Sequence, residues 1–243
     1  MAALYAAGMK KSIAPPLAAP EGTPAQRLAT INAQLAQAAE EGGHPVPQLI
    51  AISKMFDSVA IRPLIAAGHR CFGENRVQEA AAKWPALLAE TPNIELHLVG
   101  QLQSNKAGEA VRLFDAIHSV DRSSLVGAIA RACASEGRTP DLYVQVNIGE
   151  EPQKGGVAIA GLPGLLAEAT AAGLRISGLM AVPPAGQDPA PYFALLAKLA
   201  FRHGLPGLSM GMSGDYDVAA RLGATCVRVG SALFGDRTLT PYQ

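Results

Sequence analysis

The chain has 243 residues, of which 49% are hydrophobic and 16% charged, and its formal net charge is zero. That length suffices for one large domain or two small ones, and neutrality leaves no electrostatic footprint for nucleic acid or an anionic membrane. No apolar run approaches the ~20 residues of a membrane span, and three widely spaced cysteines without a CxxC pair (Cys71, Cys133, Cys226) fit a reducing, cytoplasmic setting.

Residues 1 to about 23 are rich in Ala and Pro and carry no apolar period, so they read as a loose tail. Their charges, Lys10 and Lys11, follow the apolar stretch rather than precede it, which is the wrong order for a signal peptide. Thr23-Pro24 is a helix start, and Leu28, Ile31 and Leu35 recur at helical spacing behind it. Leu49 to Ser53 is a short apolar run bounded by Pro45, Pro47 and Asp57, read as a strand buried on both faces. Asp57 or Ser58 then caps a helix stopped by Gly68.

The alternation continues along the chain. Strands are expected at Cys71–Asn75, Ile94–Gly100, Ala116–Val120, Asp141–Asn147, Ile176–Val182, Leu208–Met212 and Cys226–Gly230. Helices are expected at Val77–Glu90, from a Ser104 cap to Phe114, from a Ser123 cap to Gly137, and at Leu162–Ala172, Pro191–His203 and Asp215–Leu222. Ser231 to Gly235 is a final turn. Strict alternation implies parallel strands joined by right-handed crossovers. Eight units in roughly 250 residues match a closed (β/α)8 TIM barrel, here a single domain over residues 24–243 with an extra N-terminal helix. A doubly wound open sheet is the alternative, but no strand is followed by a GxGxxG fingerprint.

In such a barrel the site lies at the carboxyl ends of the strands. Those ends hold Lys54, Glu74, Asn75, Gln101, Ser119, Asn147, Met180, Ser213, Arg228, Gly230 and Ser231. They hold no His, Asp and Glu cluster that points to a metal. His97 and His118 fall inside strands and read as satisfied core or rim histidines. Lys54 is costly as packing, because a buried ammonium must be paired or lose its proton. A lysine that loses its proton is what imine formation needs, since the neutral amine attacks the aldehyde. Ser213-Gly214 and Gly230-Ser231 each join a strand to a helix start. Small residues there let backbone N–H groups approach an anion, and loops seven and eight are where barrels commonly bind phosphate. An imine-forming lysine and a phosphate cradle together point to pyridoxal 5′-phosphate.

Five stretches carry a resemblance. They are Ala51-Ile-Ser-Lys54, Phe72-Gly-Glu-Asn-Arg-Val-Gln-Glu79, His97-Leu-Val-Gly-Gln-Leu-Gln-Ser-Asn-Lys106, Val146-Asn-Ile-Gly-Glu-Glu-Pro-Gln-Lys-Gly155, and Leu208-Ser-Met-Gly-Met-Ser213 with Val227-Arg-Val-Gly-Ser-Ala-Leu-Phe-Gly235. In that order they resemble the YggS/PROSC family, the pyridoxal-phosphate-binding homeostasis proteins. The resemblance implies a barrel like the N-terminal domain of alanine racemase, with Lys54 as the Schiff-base lysine. It implies Ser213, Gly230 and Ser231 around the phosphate, Arg228 at the pyridine nitrogen and Asn75 near the ring. Leu96 stands where the family often has tryptophan, and Ser231 where threonine is common. The implied role is to hold the cofactor, buffer it and deliver it to apoenzymes, as a monomer and without efficient catalysis.

The other reading is a pyridoxal-phosphate-dependent amino-acid racemase, which needs a base on each face of the substrate. The tyrosines are Tyr5, Tyr143, Tyr192, Tyr216 and Tyr242, and Tyr216 alone is near a strand end, where it is expected on a helix. A cofactor-free Schiff-base aldolase is a third and weaker option. An arginine at the ring nitrogen stays charged and disfavours the pyridinium form, which weakens the ring as an electron sink.

Overall fold

The computed structural model describes residues 21–235. Most of the expected tail, residues 1–20, lies outside the described residues, as do 236–243. Eight strands form a closed barrel in sequence order, each parallel to its neighbours. They are β1 Gln48–Ile52, β2 Cys71–Glu74, β3 Glu95–Leu98, β4 Ala116–Val120, β5 Asp141–Gln145, β6 Ile176–Met180, β7 Gly207–Ser209 and β8 Cys226–Val229. The helices are α1 Pro24–Gly42, α2 Ser58–Ala66, α3 Val77–Glu90, α4 Ala107–Leu113, α5 Ser123–Glu136, α6 Leu162–Ala171, α7 Ala190–Arg202, α8 Tyr216–Arg221 and α9 Ser231–Phe234. The fold is the expected (β/α)8 barrel with an additional first helix.

Parity within each strand sorts the side chains into two layers. Phe72 turns outward onto Trp84 of α3, with ring centroids 5.0 Å apart, and both are fully buried. This outer layer of Leu, Ile, Phe and Ala joins the strands to the helices. A smaller inner cluster holds Ile50, Ile52, Cys71 and Cys226.

The first helix begins as its sequence predicts. Thr23 Oγ1 accepts from Gln26 N–H, Gln26 Oε1 accepts from Thr23 N–H, and Pro24 opens the first turn. The helix lies against α8. Arg221 pairs with Glu41 at 2.8 Å, and the Tyr216 hydroxyl donates to Gln34 Oε1 at 2.5 Å. Asp57 caps α2 by accepting from Ala60 N–H.

Several local expectations are corrected. Ser104 opens a 3-10 turn, Ser104–Lys106, and α4 starts only at Ala107. Arg122, not Ser123, is the N-cap of α5, and no side chain caps it. β7 ends at Ser209, so Met210 to Ser213 belong to the loop that follows. Among the described residues no helix is long and apolar enough to cross a membrane.

Candidate cofactor site at the barrel mouth

The strands deliver their carboxyl ends to one mouth, where a cavity of about 760 Å³ opens. It is lined by Lys54, Asn75, Ser213, Arg228, Gly230 and Ser231, together with apolar Ile52, Phe56, Val99, Met180, Val182 and Met212. The six residues that the resemblance assigns to the cofactor thus meet in one cavity. Its size is that of a small-ligand pocket.

Lys54 stands in the turn between β1 and α2, half-buried. Among the described residues its ammonium has no hydrogen bond and no ion pair. The next residue, Met55, has φ of 65°, the left-handed region that a residue with a side chain enters only when its surroundings hold it there. Two side chains one turn apart on α3 supply that hold. Glu79 Oε1 accepts from Met55 N–H. Lys83 Nζ donates to Ser53 O at 2.9 Å and Phe56 O at 2.8 Å. Neither residue was singled out from the sequence. The signal available was the i,i+4 acid–base pair on a helix that follows the second strand.

Lys83 is anchored from behind by Glu74. Glu74 Oε1 sits 2.8 Å from Lys83 Nζ and accepts from Ser53 Oγ–H at 2.6 Å and Trp84 Nε1–H at 3.0 Å. Glu74 shares the outward parity of Phe72, so it lies between β2 and α3, fully buried, and does not line the cavity. Gln101, Ser119 and Asn147, also at strand ends, do not line it either. Gln101 donates to Gln145, Ser119 is buried, and the Asn147 amide binds Glu151 O and Glu151 N–H. Asn75 follows β2 and lines the cavity. Gly100 lies so close to it that a Cβ there would be 2.2 Å from Asn75 O. Glycine at position 100 is therefore what lets the Asn75 backbone run along the mouth.

Loops seven and eight form the other side. Ser213 Oγ accepts from Gly230 N–H at 3.2 Å and from Ala232 N–H at 3.4 Å. Two amides thus converge on a position where an oxygen acceptor is welcome. Among the described residues the amides of Ser213, Gly214 and Ser231 have no hydrogen-bond partner. A Cβ placed on Gly214 would meet nothing within 4 Å, so the loop faces open space. Phe56 stacks on Phe234, with centroids 4.6 Å apart, and joins the Lys54 turn to α9. Tyr216, the tyrosine nearest these loops, is turned to Gln34 of α1. No tyrosine, histidine or second lysine lines the cavity among the described residues.

Arg228 enters from the barrel interior, 5% exposed. Nη1 donates to Ser209 Oγ at 2.6 Å and Nη2 to Ala181 O at 2.9 Å. Burial holds its guanidinium below the usual arginine range. Behind it a polar chain runs down the barrel axis. Ser209 Oγ is 2.8 Å from His118 Nδ1, and His118 Nε2 is 3.0 Å from His97 Nδ1. The two histidines are buried and bonded to each other, as core histidines. Burial, then the neighbouring His97 and Arg228, hold His118 well below the ordinary histidine range. The Tyr143 ring stacks on His118 at 4.4 Å.

Comparisons with known proteins show the family of the chain. Residues 27–238 match the family model of the alanine racemase N-terminal domain. The chain is 40% identical over 210 residues to the pyridoxal phosphate homeostasis protein of Deinococcus radiodurans, covering 85% of this chain and 97% of that one. It is 38% identical over 239 residues to the protein of the same name from Mycobacterium tuberculosis, covering 87% and 92%. Among solved structures it is similar to PipY of Synechococcus elongatus with PLP bound, at 41% identity and a TM-score of 0.77, covering 88% of this chain and 100% of that one.

Proposed function

The chain belongs to the pyridoxal phosphate homeostasis proteins, a family built on the alanine racemase N-terminal domain, and on that premise we propose that it binds pyridoxal 5′-phosphate through Lys54 and holds it for delivery rather than for turnover. One observation carries the proposal. Among the described residues, a lysine without a partner shares a cavity with two loops in which the Ser213, Gly214 and Ser231 amides also lack one. The residues present fit the group. The Gly230 and Ala232 amides already converge on an oxygen, and Ser213, Gly214 and Ser231 offer further N–H donors for a phosphate. When bound there, the cofactor supplies an aldehyde for the lysine amine and a ring that can accept electrons from an amino acid.

Each residue then has a task. Lys54 would give up a proton so that its neutral Nζ could condense with the aldehyde, whose oxygen would leave as water. Among the described residues no carboxylate pairs with Lys54. Ser213, Gly230 and Ser231 hold the phosphate. Arg228 would hold the ring nitrogen with N–H groups not used on Ser209 and Ala181. Arginine donates only, so it leaves that nitrogen without a proton and the ring a weak electron sink. Asn75 borders the ring.

Racemisation needs a base on each face of a bound amino acid, and among the described residues no tyrosine or second lysine lines the cavity. The partners that go with the carrier reading are apoenzymes that need the cofactor. Its setting would be cytoplasmic, in keeping with three buried, unbridged cysteines.

Borohydride reduction of the holoprotein followed by peptide mapping should place the pyridoxyl mass on Lys54. Lys106 and Lys154 are the competitors nearest in the motifs, and both are engaged, with Glu109 at 3.0 Å and Glu151 at 2.6 Å. A label on either would overturn the assignment. Incubation with L-alanine in deuterated water, beside transfer to an apoenzyme, tests the second half. Turnover near the ~10 per second of ordinary enzymes, lost in Lys54→Ala, would overturn the carrier reading.

A further inference from the structure

The polar chain below Arg228 does not stop at His97. At the opposite, amino-terminal end of the barrel, His97 Nε2 lies 3.5 Å from Cys71 Sγ and 3.8 Å from Glu95 Oε2. The three ligand atoms lie within 4.8 Å of one another. Their meeting follows from register. Cys71 of β2 pairs with Glu95 of β3, and His97 is two residues further along β3, on the same face. Cys71 and His97 are buried, while Glu95 is exposed at the rim.

We propose that Cys71, Glu95 and His97 form a site for a borderline divalent cation of the zinc class on the floor of the barrel. A tetrahedral ion with bonds of ~2.3 Å to sulfur and ~2.05 Å to nitrogen needs those atoms about 3.5 Å apart. The observed separation meets that value. The nitrogen–oxygen edge of such a site is about 3.4 Å, which a small rotation of the exposed Glu95 side chain supplies. Thiolate and carboxylate together neutralise a divalent charge, so the buried site ends without net charge. Sulfur and imidazole ligands exclude calcium and magnesium.

The surroundings orient the ligands. His118 Nε2 holds the other ring nitrogen of His97 at 3.0 Å, and Gln48 Nε2 donates to Glu95 Oε2 at 2.7 Å. Burial pushes the Cys71 thiol well up, so it keeps its proton until a cation arrives. On binding, the S–H bond breaks, the proton leaves to solvent, and sulfur and the Nε2 lone pair of His97 bond the ion. His97 then carries its proton on Nδ1 and donates to His118 Nε2. His118 in turn donates from Nδ1 to Ser209 Oγ, which has a second lone pair for Arg228. Three protein ligands leave one position, on the Glu95 side, for water.

The test uses the full-length holoprotein after treatment with a chelator. Cobalt(II) should give a thiolate-to-cobalt charge-transfer band that saturates at one equivalent, read as a difference spectrum against the zinc-loaded sample. Cys71→Ser should abolish the band. Glu95→Gln, at the exposed rim where folding is not at risk, should weaken cobalt binding tenfold or more. The absence of the band in folded protein would overturn the proposal. So would a band unchanged in Cys71→Ser, which would place the ion on Cys133 or Cys226, or an affinity unchanged in Glu95→Gln.

Discussion

Two lysines serve the two faces of one turn, and they are treated in opposite ways. Behind the turn, Lys83 is 9% exposed in its side chain and holds Glu74, Glu79, Ser53 O and Phe56 O. On the mouth side, Lys54 has no partner among the described residues and borders a cavity. An ammonium with its bonding satisfied is a structural fixture, whereas one left without acceptors is available to react. The difference teaches that a reactive group is positioned by neighbours that take up the stability cost in its place. The strained Met55 can persist because Glu79 and Lys83 fix the residues on both sides of it.

The largest test of this contrast is Lys83→Ala. It strands Glu74 in a buried layer without its cation, and breaking a buried pair in this way costs about 3–5 kcal/mol. Urea unfolding should show that loss, and borohydride labelling at Lys54 should weaken with it as the turn loosens. A stability change under about 1 kcal/mol would mean that the Glu74–Lys83 pair is only an ornament of the fold.

Ser213→Ala is next and reports on the mouth alone. On the proposed phosphate role it removes one charge-assisted hydrogen bond, about 1.5–3 kcal/mol, or about tenfold or more in affinity. Equilibrium titration should show that loss for pyridoxal phosphate and almost none for unphosphorylated pyridoxal. Equal losses for both ligands would remove Ser213 from the phosphate contacts.

Acid should act on the interior rather than the mouth. His118 and His69 are both held below the ordinary histidine value of 6.5, chiefly by burial. Below about pH 6.5 the unfolded chain takes up protons that the folded chain refuses, so stability falls with pH by up to ~1.4 kcal/mol per unit for each proton. Above that value the contribution is fully present. Asp215, raised by burial, works in the other direction but only nearer its ordinary 3.8. Unfolding midpoints measured from about pH 7.5 to 5.5 should decline, and His118→Gln should flatten the decline. An unchanged slope in that variant would assign the acid sensitivity to other groups.

The smallest expected effect sharpens the contrast most. Lys54→Ala should leave stability within about 0.5 kcal/mol, because among the described residues its ammonium makes no hydrogen bond or ion pair, while covalent attachment of the cofactor should disappear. A large drop in the thermal midpoint would mean that Lys54 is structural after all.

Much of this architecture was legible in the sequence, for physical reasons. A parallel strand buried on both faces reads as an unbroken apolar run, and Gly or Asp punctuates every crossover except the one from β2 to β3. Lys54 was legible as a charge at the end of such a run, and loops seven and eight as small residues ahead of a helix. Glu74 was misplaced because strand ends were read without parity; its kinship with Phe72 sends it outward. Glu79 and Lys83 were missed because their partners, Ser53 to Phe56, are distant in sequence and meet α3 only after β1 pairs with β2. Cys71, Glu95 and His97 form no motif along the chain, since register between strands alone unites them. The Ser104 and Ser123 caps were expected from residue type, and backbone geometry put the helix starts elsewhere.

The pairing of β1 with β8, Gln48 with Cys226 through Ala51 with Val229, closes the barrel. It has a consequence in time. Lys54 leaves the ribosome well before Arg228, Gly230 and Ser231. The cup that all of them line is therefore unfinished until the two edges of the sheet meet, and such long-range pairing is slow. A nascent chain carries the lysine without the means to retain a cofactor on it. A ligand that touches residues on both sides of the seam acts as a rivet. Saturated at a hundred times its dissociation constant, it adds about 2.7 kcal/mol against reopening, so cofactor supply and the lifetime of the closed barrel rise and fall together.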